Sequence, residues 1–92
     1  MIQVPVKHMF IFGGTSVNVY HANKGEGLPM HSHAYTHTTM CNAGSCKYTQ
    51  NGRSMVANKE TQPVELVAGG LHEIEALEDD TVFVNIFKDG EY

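Results

Sequence analysis

No stretch of this 92-residue sequence approaches the ~18 consecutive apolar residues that a membrane-spanning helix requires, so nothing in it reads as a bilayer span. Basic runs are also missing. With no block of five or more lysines and arginines, a formal charge of −4 and a pI near 5.8, the chain gives neither a nucleic acid nor an anionic membrane an electrostatic footing. The N-terminus, from Met1 to His8, has no positive region followed by a long apolar stretch. No secretory signal is expected, and the protein is read as cytoplasmic. Cysteine is scarce: Cys41 and Cys46, spaced C-x4-C, fit neither a redox C-x-x-C nor a zinc knuckle. They are read as free thiols in a reducing compartment. No segment sustains an apolar period of 3.6 residues long enough for an amphipathic helix.

What remains is a short chain with 41% apolar residues, enough for a folded core and too many for disorder. Its length makes residues 1–92 a single domain, and the modest core such a length allows makes a homodimer the expected state. Strand-like runs succeed one another between turn residues. Segments 2–6 and 8–12 read as strands, the first confined to a sheet edge by Pro5, with a turn at Gly13-Gly14 and a further strand over 15–22. Segment 23–29 reads as a glycine-rich loop in which Pro29 fixes the approach of the chain to His31. After a strand over 36–42, Asn51-Gly52 separates runs 46–50 and 53–57. That dipeptide is a strong hairpin signal, because a type I′ turn needs positive φ at both central positions. Further strands are expected over 63–67 and 71–76, and in the latter His72, Ile74 and Ala76 alternate with Glu73 and Glu75. Segment 81–87 is apolar on both faces, hence buried on both, and Val82, Val84 and Ile86 are expected to face the pocket. The whole reads as all-β, an antiparallel barrel or sandwich.

Three of the six histidines, His31, His33 and His37, fall within seven positions and share one parity. Alternate residues of an extended chain share a face, so His31 and His33 project together and both rings can reach one cation. A straight strand would carry His37 roughly 13 Å past His33, so a shared ion requires the backbone to bend around 34–36. After the turn at Gly69-Gly70 comes His72. This spacing points to a transition-metal site built from imidazoles. Tyr35 and Cys41 have the same parity and are candidates to line the pocket, while His8 and His21 have no ligand-like neighbours and read as surface or strand-end residues. No general base is evident, since Glu73 and Glu75 alternate away from His72.

These residues resemble the cupin superfamily, small jelly-roll β-barrels that hold a metal in the barrel mouth. The first cupin motif, G-x5-H-x-H-x3–4-E-x6-G, is met by Gly25, His31, His33, His37 and Gly44, with histidine in place of the glutamate. The second, G-x5-P-x-G-x2-H-x3-N, is met in part: Gly69 and His72 hold their positions, while Thr61, Val67 and Ala76 replace glycine, proline and asparagine. The resemblance covers residues 25–76 and implies a small antiparallel jelly-roll domain with His31, His33, His37 and His72 as ligands. It implies one divalent transition-metal ion per chain: iron, manganese, nickel, copper or zinc. Four neutral imidazoles leave such an ion a charge of about +2, which favours a small anionic chelating substrate such as a diketone, an enediol, or a hydroxy- or keto-acid. The expected function is that of an oxygenase. The alternatives are an isomerase or lyase using the ion as a Lewis acid, or a non-catalytic small-molecule-binding cupin.

Overall fold

Period-two alternation broken by glycine, asparagine and aspartate yields strands and turns but no helix among the described residues, which in this computed structural model are 1–88. Ten strands run in chain order: β1 (Ile2–Gln3), β2 (His8–Phe12), β3 (Thr15–Ala22), β4 (Glu26–His31), β5 (His37–Ala43), β6 (Cys46–Gln50), β7 (Arg53–Ala57), β8 (Val64–Leu66), β9 (His72–Ala76) and β10 (Thr81–Lys88). They form two five-stranded sheets, ordered β1-β4-β9-β6-β7 and β2-β3-β10-β5-β8. The sheets are not closed on one another, so the barrel-or-sandwich expectation resolves to a jelly-roll sandwich. β1 pairs in parallel with β4 and the other strand pairs are antiparallel.

Several local expectations have direct counterparts. The strand read over 2–6 lies at a sheet edge as expected but is shortened to Ile2–Gln3, ending before Pro5. Asn51 and Gly52 have φ of 49° and 80°, the signs a type I′ turn demands. In β9, His72, Ile74 and Ala76 are buried, and Glu75 turns outward to meet Lys47 at 3.4 Å. The core between the sheets is built from Tyr20, Leu28, Tyr48, Leu66, Ile74 and Phe83 with smaller neighbours. Tyr20 stacks on Phe83 at 4.9 Å and 12°, a pair that adds about 0.5–1.5 kcal/mol beyond its buried area.

Two expectations are corrected. The strand carrying His31 begins at Glu26, inside the segment read as a loop. Glycine weakens strand propensity, but Gly27 is required here: a Cβ at that position would overlap the Ile74 carbonyl, so only glycine lets β4 lie this close to β9. In β10 the inward parity is Thr81, Phe83, Asn85 and Phe87. Val82, Val84 and Ile86 therefore face outward instead of into the pocket, and Val84 is flanked by Val19 of β3 and Met40 of β5. A strand apolar on both faces carries no hydrophobic signal of which side is inner, and β10 puts polar Thr81 and Asn85 inside.

Candidate metal centre

Three strands and one loop gather the histidines at one end of the sandwich. His31 closes β4 and His72 opens β9, and the two are register partners beyond an irregularity between Leu28 and His31. His37 opens β5 in the opposite sheet. Residues 32–36 cross from one sheet to the other, and His33 sits on this crossing, outside any strand. The expected bend thus occurs where the spacing required it. The crossing is tied down from the β8–β9 turn: the Gly69 N–H donates to the His33 carbonyl at 2.7 Å, and the Ala68 N–H donates to Thr36 Oγ1 at 3.0 Å.

The Nε2 atoms of His31 and His33 are 3.0 Å apart, and those of His31 and His72 are 3.1 Å apart. One nitrogen from each of these three rings falls within a group 4.8 Å across. Two nitrogens bound to one ion at 2.1 Å and 90° stand about 3.0 Å apart, so the spacing is that of adjacent corners of a coordination shell. His31 Nδ1 lies 2.6 Å from the Pro29 carbonyl, to which its N–H donates; the Nε2 lone pair is then left pointing at the other rings. Pro29 therefore helps to fix the tautomer as well as the approach of the chain.

His37 forms the far wall of the cluster. Its ring centroid is 5.5 Å from that of His33 and 5.3 Å from that of His72, but its nitrogens lie outside the three-nitrogen group. It is 2% exposed, and neither of its ring nitrogens makes a well-formed hydrogen bond. Burial, reinforced by repulsion from His33, pushes its pKa down to about 4. His72 is pushed to about 4 as well, by burial first and repulsion from His31 next, and His33 is lowered by the same two causes. At neutral pH these rings are held uncharged, the form in which imidazole binds a cation.

Tyr35 borders the cluster, its ring stacked on His33 at 4.7 Å and 17° and lying 6.2 Å from Phe87. Cys41 does not. It has the right parity but sits four residues beyond His37, roughly 13 Å further along the strand. There it is buried in the core, with its thiol donating to the Ala43 carbonyl at 3.3 Å. His8 and His21 lie apart from the cluster, exposed and 6.1 Å from each other by ring centroid. One residue missed from sequence is Gln50, the register partner of His72 on one side and of Arg53 on the other. Its side chain bridges to the opposite sheet, accepting from the Val67 N–H at 2.7 Å and donating to the Glu65 carbonyl at 3.3 Å. The Asn-Gly turn shows that Gln50 faces Arg53, but only the β6–β9 register sets it beside a histidine.

No protein-family model matches the sequence, and no curated protein does. Solved structures match over most of the chain. KdgF from Halomonas sp. superposes with a TM-score of 0.80 at 13% identity, over 88% of this chain and 74% of that one. A protein with a double-stranded beta-helix domain from Klebsiella pneumoniae gives 0.76 at 20% identity over 96% and 78%, respectively. A cupin-2 domain containing protein from Shewanella frigidimarina gives 0.71 at 10% identity over 92% and 78%. At these identities the likeness is one of fold. The chain thus has the small jelly-roll fold of these cupin structures, with a histidine group able to hold a metal ion at one end.

Proposed function

We propose that the protein is a metal-dependent oxygenase acting on a small, chelating, anionic substrate. The observation that carries this reading is the convergence of the Nε2 atoms of His31, His33 and His72 with no carboxylate among them. His37, buried with both ring nitrogens lacking a well-formed hydrogen bond, would be the fourth ligand. Neutral ligands would leave a bound divalent ion its full charge of about +2, which suits an anionic chelating substrate. A bound iron, manganese or copper ion supplies one-electron chemistry with dioxygen. The chain's own part is to keep its imidazoles deprotonated and to offer the flat face of Tyr35 along one side of the cluster.

The test is elemental analysis of protein purified without a histidine tag, followed by oxygen uptake with a panel of 1,3-diketones, enediols and α-hydroxy acids. The expected result is about one transition ion per chain. Uptake is expected with at least one panel member, and His72→Ala should lose both the ion and the activity. If the iron, manganese and copper forms all leave dioxygen untouched, the oxygenase reading fails. Turnover of a panel member under argon, with zinc or nickel bound, would establish the isomerase or lyase reading in its place.

A further inference from the structure

Beside the histidine cluster, within the same gap between the sheets, lies a cavity of about 470 Å³ between the β6–β7 hairpin and β8. That is the size of an ordinary small-molecule site, within the ~300–1,000 Å³ typical of such pockets. One wall is apolar, formed by Tyr48, Met55, Val64 and Leu66, with Tyr48 and Leu66 part of the buried core, and the other is polar, with Gln50, Asn51 and Ser54. No acidic residue lines it, and its one formal charge is that of Arg53, the only arginine in the sequence.

The arginine is notable for its surroundings. The chain has ten carboxylates against six cations, yet Arg53 has no carboxylate partner among the described residues. An arginine fork left open over an apolar hollow is complementary to a planar anion that carries an apolar body. Gln50 separates this hollow from the metal centre. It lies between His72 and Arg53 in the sheet, and its amide is committed to two backbone groups around β8. A ligand in the hollow therefore meets the guanidinium without touching the imidazoles.

We infer that the cavity between β6, β7 and β8 is a second ligand site, independent of the metal, that takes a monocarboxylate with an aromatic or aliphatic body and holds its carboxylate on Arg53. The body lies on Tyr48, Met55, Val64 and Leu66, and the tail length is limited by the depth of the hollow.

The site is tested by titrating 3-phenylpropionate into the 92-residue chain, metal-free and zinc-loaded, while following backbone amide shifts by NMR. The shifts are expected to centre on Asn51, Ser54 and Val67 in both forms. Arg53→Gln, a change at an exposed position outside the core, is expected to weaken binding about tenfold or more, the usual loss for a charge-assisted hydrogen-bonded pair. The uncharged 3-phenylpropanamide should weaken by a similar factor against the unaltered protein. Equal affinity for acid and amide, or affinity unmoved by Arg53→Gln, overturns the inference. So do shifts that centre on the histidines and vanish when the metal is removed, since the acid is then a ligand of the ion. Failure to bind at millimolar acid overturns it as well. None of these outcomes bears on whether the metal-loaded protein consumes dioxygen.

Discussion

Histidine protonation is the first place where single residues govern behaviour. In the metal-free protein, His37 and His72 take up protons only near pH 4, whereas in the unfolded chain they do so near the ordinary value of 6.5. As pH falls below 6.5 the unfolded chain gains protons that the folded chain cannot, so the stability these rings contribute is complete above 6.5. It is lost progressively as pH falls to about 4 and is flat below that. Urea midpoints of chelator-treated protein should decline across that window, and His37→Gln should make the decline shallower; an unchanged slope in the variant would refute this. Much at this scale was legible beforehand. The shared parity of His31, His33 and His37, and the glycine turn ahead of His72, mark the cluster because these are short-range features of the chain. Cys41 shows where such reading stops: parity tells which face a side chain takes, but not how far along the strand it stands from the metal end.

Among the strands, the β4–β9 pair matters most, because its register sets the separation of His31 from His72. Gly27 permits that closeness, since any Cβ there meets the Ile74 carbonyl. Gly27→Ala should push the two strands apart and cost about 1–3 kcal/mol of stability, the usual range for overpacking. It should also weaken metal binding although it alters no ligand. Urea unfolding and a zinc titration on the same preparation check both effects; a destabilised variant with unchanged zinc affinity would show that the register does not control the site. Reading strands from sequence worked where one face was polar, as in β9, and where turn chemistry was explicit, as at Asn51-Gly52. It failed in β10, where the parity carrying polar Thr81 and Asn85 is the inner one and the wholly apolar Val82, Val84 and Ile86 lie outside, and at the start of β4, where a packing requirement overrides the low strand propensity of glycine.

At the scale of the molecule, the edge of the second sheet stands out. All five residues of β2 are exposed, and Met9, Phe10, Ile11 and Phe12 have 61%, 54%, 55% and 66% of their surface open. An unprotected apolar edge strand is a pairing surface, and on so short a chain a second copy is the simplest partner: antiparallel β2–β2 pairing would join two five-stranded sheets into one. Light scattering coupled to size exclusion is expected to give a dimer, and Phe10→Lys with Phe12→Lys is expected to give a monomer with an unchanged circular-dichroism spectrum. A wild-type chain that stays monomeric as it is concentrated would rule the pairing out. The loop stitched by Gly69 and Ala68 has a different consequence, one for the order of events in time. His31 and His72 are 41 positions apart, and His33 is held by a turn that precedes His72, so the nitrogens converge only once nearly half the chain has been looped shut. Whereas a zinc finger condenses around its ion, any ion taken by this cluster would arrive as a late tenant, once the architecture around it is complete.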